Sequence, residues 1–204
     1  MNLYSYVVEH DMGFAPNPFY GVCSLAACKP IIRKNAQIGD YIVGTGAAKR
    51  GMTSRLIYWM RVESESTFDK YWRDSGLIDK RPDMRGSLKK RYGDNIYAKK
   101  NGEYEQMYSF HSRRDGSLQE ENWQDDVGKT DRILLSRDFC YFGVSAPKVP
   151  DHLERFVRKG RNHLRFAGGE EAPFVNWLSS LNQHGYVDEP VEWRYARRRE
   201  RLGR

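Results

Sequence analysis

The chain has 204 residues, 39% hydrophobic and 30% charged, with a formal net charge of +7. Its length suits one folded core, since cores divide only above roughly 250 residues, and 13 Tyr, 9 Phe and 5 Trp supply enough buried area to exclude a disordered chain. The sequence has no run of 18 apolar residues, no basic-then-apolar leader and only three cysteines, which predicts no membrane span, no signal peptide, no disulfide framework and a reducing cytoplasm. A single domain over 1–204 is expected, with a core over 1–145, a helical part over 146–192 and a basic tail over 193–204.

Leu3 to Val8 (LYSYVV) reads as a buried strand, short, β-branched and aromatic. The segment His10 to Arg33 then breaks into glycine, proline and asparagine around two aromatics, two thiols and a lysine. Ser24 to Ala27 begins a helical turn that Pro30 is expected to stop. Gly39-Asp40 forms a turn into the strand Tyr41–Thr45, and Leu56–Val62 returns as its hairpin partner across a basic loop. Ser66–Arg73 is a short helix capped by Ser66 or Thr67, with Phe68, Tyr71 and Trp72 on one face. Residues 74–132 are polar and turn-rich without periodicity, and such stretches are often functional. Two islands stand out there, Gly93–Tyr97 and Ser109–Ser112. Ile133–Leu135 and Phe139–Val144 read as strands, and Pro150–Gly160 and Ala172–His184 as helices. Strands interrupted by short helices give an α+β fold.

Several constellations could carry chemistry. Stiff backbone in Pro16-Asn17-Pro18 beside Phe19 and Tyr20 suits a ligand pocket, in which Asn17, Phe19, Tyr20 and Lys29, with Asn95 and Tyr97, would contact a base; a well-packed loop is the alternative. Proline extends the backbone at Asn17, so its amide could face a ligand and a neighbouring ring stand open to stack. Gly44-Thr45-Gly46 and the basic loop after it suggest phosphate binding by Thr45, Lys49, Arg50 and Arg55, or an ordinary hairpin tip. No P-loop or dinucleotide fingerprint is present.

His10, Asp11, Asp94 and His111 are the acid–base candidates. His111 and the Asp94–Tyr97 island carry residue types that read base edges or move protons, and these are equally standard turn chemistry. Cys23 and Cys28 form a C-x4-C pair without a second pair, so no metal is expected. Cys23 as a nucleophile would need His10 or His111 within reach, and a buried inert thiol is the alternative. The loop from His10 to Lys29 and both islands are expected to meet in one cavity. The positive charge favours a phosphate-bearing partner, while the tail is equally a solvated terminus.

The run LYSYVVEHDMGFAPNPFYGVCSLAACKPIIR, with IGDYIVGTG, LIYWMRV, TFDKYW, GDNIY, SFHS and ILLSRDFCYFG in that order, resembles the second of the nucleotide-modification-associated domain families, found in phage and bacterial genomes. The resemblance covers about residues 1–145 and implies a link to modified or hypermodified DNA bases; it assigns no catalytic residue. IGDYIVGTG followed by LIYWMRV is also similar to the barrel core of the PUA-like group, including EVE-like readers of modified bases. Together these imply a curved, mostly antiparallel sheet or PUA-like β-barrel. The expected function is binding of a nucleotide or a flipped, modified base of DNA in a phage or anti-phage system, without a cofactor. The alternatives are an enzyme of group transfer or glycosidic cleavage acting on a base or nucleotide, and a protein-interaction module. An enzyme should bring a histidine and a carboxylate within hydrogen-bond reach; a reader should offer an aromatic slot.

Overall fold

A computed structural model of the chain describes residues 1–196. Residues 197–204 of the expected basic tail lie outside the described part. In chain order the strands are β1 (Leu3–Val8), β2 (Cys23–Leu25), β3 (Tyr41–Gly46), β4 (Leu56–Arg61), β5 (Ser64–Thr67), β6 (Tyr97–Lys100), β7 (Glu103–Gln106), β8 (Arg132–Ser136), β9 (Phe139–Tyr141), β10 (His163–Phe166) and β11 (Gly185–Tyr186). The α-helices are α1 (Pro30–Asn35), α2 (Phe68–Arg73), α3 (Leu88–Arg91), α4 (Glu120–Trp123) and α5 (Ala172–Ser180). The α+β class follows directly, and no helix among the described residues is long and apolar enough to cross a membrane. The chain divides into two compact units, one of residues 1–12, 36–62 and 137 onward, the other of 13–35 and 63–136.

The first unit holds a six-stranded sheet in the order β10-β1-β3-β4-β9-β11. β1 and β3 pair in parallel from Leu3↔Tyr41 to Val8↔Gly46, and β3 turns back on β4 as the expected hairpin. β9 and β11 are the other parallel pair; the remaining pairings are antiparallel. The sheet is open. Its edges are a four-residue and a two-residue strand, and no closed barrel forms among the described residues, so the PUA-like barrel expected from the hairpin motif is not found. Gly39 takes φ +91° to make the turn into β3, and Asp40 holds it by accepting from Asn2 N at 2.6 Å and Gln37 N at 2.9 Å. A Cβ at Gly46 would stand 2.3 Å from the Cβ of Met52, and one at Gly44 would stand 2.5 Å from the Tyr58 ring. Close packing therefore demands both glycines, whatever else the loop does. The segment expected as a helix over 150–160 is a 3₁₀ turn, Asp151–Phe156.

The second unit holds the antiparallel sheet β2-β8-β5 and the hairpin β6-β7. Its core is Phe14, Ala26, Ala27, Phe68, Tyr71, Leu77, Ile96, Tyr97 and Ile133. Thr67 caps α2 by accepting from Lys70 N, and Phe68 and Tyr71 are its buried face, as the i, i+3 spacing predicts. Ser24 to Ala27 departs from expectation: Cys23–Leu25 is a strand, and Pro30 opens α1 where it was expected to end a helix. Proline suits a first helical position because its missing N–H has no partner there anyway. The turn-rich stretch becomes the 3₁₀ turn Ser75–Lys80, α3, the β6-β7 hairpin, α4 and a π-helical turn over Gln124–Gly128. Side-chain hydrogen bonds hold these short pieces more than apolar periodicity does.

Candidate active site

β2 runs out at Leu25, and Ala26 and Ala27 dive into the core. Two non-glycine residues in the left-handed region follow, Cys28 at φ +58° and Lys29 at φ +42°. Such backbone costs on the order of 1–3 kcal/mol per residue and persists only where its surroundings fix it. Arg33 does the fixing. It is fully buried on α1, and its guanidinium donates to Cys28 O at 2.8 Å, Arg132 O at 2.8 Å and Asp126 O at 2.6 Å. Burial lowers its pKa against the pull of Asp126. One cation thus ties the strained turn, β8 and the π-helical turn together.

Cys28, His111 and Asp126 meet in a relay. His111 Nε2 lies 3.7 Å from Cys28 Sγ, and His111 Nδ1 lies 2.7 Å from Asp126 Oδ2. Asp126 is fully buried; Oδ2 also accepts from Tyr97 OH at 2.8 Å, and Oδ1 accepts from Cys28 N at 2.6 Å. Gln106 Nε2 donates to Tyr97 OH at 3.1 Å. Burial raises the pKa of Tyr97, and the charge of Asp126 raises it further, so it stays a neutral donor. Burial alone would lower the pKa of His111. The hydrogen bond to Asp126, then the contact with Cys28, outweigh it and raise the imidazole to about 10. His111 is therefore held as an imidazolium at neutral pH. Its backbone is pinned too: Asn122 Nδ2 donates to His111 O at 2.8 Å, and Ser109 Oγ accepts from His111 N at 3.3 Å.

The ligating atoms of Cys28, His111 and Asp126 all lie within 4.8 Å of one another, so a metal ion is the competing reading. The bonding favours the relay. His111 uses both ring nitrogens within the trio, and both oxygens of Asp126 already accept from protein donors. A metal needs these atoms to converge on one point with lone pairs to spare. A nucleophile, base and orienting carboxylate need them in line. His111 and Asp126 are buried, whereas Cys28 is half-buried. Beside it Phe14 lies 4.4 Å from the His111 ring, and Phe110, 41% exposed, packs edge-on against Phe14 and Tyr92.

A second polar cluster in this unit is sealed. Lys80 Nζ donates to Asn17 O at 3.0 Å, Asn17 Oδ1 at 2.7 Å and Ser24 Oγ at 2.9 Å. Ser24 Oγ donates to Asp94 Oδ2 at 2.5 Å, and Tyr71 OH donates to Asp94 Oδ1 at 2.8 Å. Asn17, Ser24, Tyr71, Lys80 and Asp94 have no exposed surface. Burial raises the pKa of Asp94 and lowers that of Lys80, each opposed by the other's charge.

Of the residues singled out from sequence, Tyr97 and His111 belong to the relay, with Lys29 next to Cys28. Asn17 and Asp94 belong to the sealed cluster. Asn17 Nδ2 donates inward to Gly13 O and Tyr92 O, and Asn95 Nδ2 to Tyr71 O, so neither amide NH₂ is turned to solvent. Phe19 is buried, while Tyr20 is half-buried with Lys89 Nζ 4.2 Å above its ring. Cys23 is fully buried and its thiol is pushed up to about 12, matching the inert alternative.

The other candidates lie in the first unit. Buried Asp11 accepts from Tyr141 OH and Val191 N. Exposed His10 bonds Glu192 Oε1 at 3.1 Å, and Lys49 Nζ reaches His10 Nε2 at 3.2 Å. Arg50 pairs with Glu192 at 3.0 Å, Arg55 donates to Ala146 O at 2.9 Å, and buried Thr45 donates to Tyr6 O at 3.4 Å.

Cys28 as nucleophile, Asp126 and Arg33 escaped the sequence reading. The Cys-Lys-Pro step after an apolar run was the available signal for Cys28. Asp125-Asp126 looks like solvated acid and gave none.

No curated protein and no solved structure matches the chain. The family described as nucleotide modification associated domain 2 matches residues 1–197, well beyond the 1–145 over which its motifs were read. The chain belongs to the nucleotide modification associated domain 2 family.

Proposed function

We propose that the chain is a nucleotide-modifying enzyme of the thiol type, transferring an acyl group to or from a base or nucleotide. The observation that carries this is the relay of Cys28, His111 and Asp126, at 3.7 Å and 2.7 Å. It is the histidine–carboxylate pair expected of an enzyme, with a nucleophile added, and the family's description, nucleotide modification, supports a nucleotide as substrate. The reader expectation has less support, because Asn17 and Phe19 are buried.

The attacking form is a thiolate beside an imidazolium. Cys28 Sγ adds to the carbonyl carbon of an acyl donor. The tetrahedral intermediate collapses, the donor's amine or alcohol leaves with the proton from His111 Nε2, and a thioester remains on Cys28. An amino group of the acceptor, or water, then adds to the thioester. Its proton passes to His111, and the Cys28 thiolate departs, restoring the pair. Asp126 holds the imidazole through its bond to Nδ1 in both halves. Phe110 offers the face on which a base would stack.

The test uses nucleotides acylated on the exocyclic amine of the base. Release of the acyl group, with a transient acyl adduct on Cys28 by intact mass, is expected. Turnover unchanged in Cys28→Ala would remove the proposal.

A further inference from the structure

The first unit carries a cavity of about 410 Å³ at the carboxyl ends of the parallel neighbours β1 and β3. The volume lies in the range of roughly 300–1,000 Å³ typical of small-ligand clefts. In open sheets, ligands gather outside the carboxyl ends of parallel strands. Val7 and Val157 give it apolar wall, Lys49, Arg158 and Lys159 give cations, and Glu9 and Thr53 give an acceptor and a hydroxyl. Lys159 Nζ lies 3.4 Å from Glu154 Oε1, while Lys49 Nζ is set against His10 Nε2 at 3.2 Å, one basic group facing another. Three cations around an apolar wall suit a ligand with a charged end and an uncharged body. A continuous nucleic-acid strand would need an extended groove; this cavity, open on one side, is the size of one small molecule.

We infer that this cavity binds a mononucleotide, its phosphate on Lys49, Arg158 and Lys159 and its sugar or base against Val7 and Val157. Glu9 and Thr53 are placed to bond sugar hydroxyls or base amines. The site goes beyond the thiol chemistry, because none of its lining residues belongs to the unit that carries Cys28.

Titration calorimetry on the full chain tests this, with deoxynucleoside monophosphates, the matching nucleosides, inorganic phosphate and a short single-stranded oligonucleotide as probes. Saturable binding of a monophosphate is expected, about tenfold or more tighter than its nucleoside or phosphate alone, which is about 1.4 kcal/mol per decade. Arg158→Glu, checked for an unchanged melting temperature, should weaken it about tenfold or more, and Lys49→Ala should weaken it less. Cys28→Ala should leave it unchanged, so that failure here is separable from failure of the thiol proposal. No saturable binding of any monophosphate overturns the inference. So does affinity indifferent to both variants, phosphate binding as tightly as the nucleotide, or an oligonucleotide binding more tightly than the monophosphate.

Discussion

Two clusters in the second unit contain the same chemical parts. Cys28, His111 and Asp126 form one; Ser24, Lys80, Asp94 and Tyr71 form the other. Each has a potential nucleophile, a base and a carboxylate within hydrogen-bond reach. They differ in access and in occupancy. All four members of the second have no exposed surface, and Lys80 spends its donors on Asn17 and Ser24. In the first, Cys28 is half-buried, and its sulfur lies 3.7 Å from the histidine that would serve it. A saturated polar cluster specifies a fold, and a cluster with one approachable reactive atom can do chemistry.

Substitutions should separate them. Lys80→Met leaves Asp94 buried without its cation and should cost about 3–5 kcal/mol by chemical denaturation. Cys28→Ala should cost only about 1 kcal/mol on the same measurement. Equal costs would dissolve the distinction. Asp126→Asn keeps the shape but loses the charge behind His111, so turnover on an acylated nucleotide should fall by about 10²–10⁴-fold. A fall no larger than that caused by a surface substitution would place Asp126 outside the chemistry.

The titration of His111 gives a smaller effect of predictable sign. Its folded pKa of about 10 stands above the ordinary 6.5. Its contribution is therefore complete below pH 6.5 and is lost as pH rises toward and through 10. The stability difference between wild type and His111→Gln should shrink across that window in denaturation curves; a difference constant with pH contradicts it. The smallest effect concerns the turn. Lys29→Gly relieves a left-handed residue and should stabilise by up to about 1 kcal/mol while loosening Cys28. Destabilisation would mean that Lys29 contributes more through its contacts than its backbone costs.

The same contrast explains what could be read from the sequence. β1, the β3-β4 hairpin and the cap of α2 follow from alternation, a Gly-Asp turn and a threonine at the right offset, all local signals. His111 and Tyr97 were visible as chemically apt residues in a polar stretch. Cys28 was hidden because a positive φ is imposed from outside: Arg33, five residues on, and Asp126, far along the chain, create it. Asp126 was hidden because burial of one of two adjacent aspartates is decided by the π-helical turn. The barrel expectation failed for a related reason. The hairpin motif is local, and closure depends on short strands from the far end of the chain.

Cysteine alkylation tests the central claim most directly, because the chain carries its own controls. Cys23 and Cys140 are buried, with thiols pushed up to about 12, and Cys28 is the half-buried member of the relay. Iodoacetamide at pH 6–7, followed by peptide mass mapping, should modify Cys28 alone. The rate should fall about tenfold or more in His111→Ala, since the imidazole 3.7 Å from the sulfur is gone. Modification of Cys28 no faster than of Cys140, or a rate that His111→Ala leaves unchanged, would contradict the account.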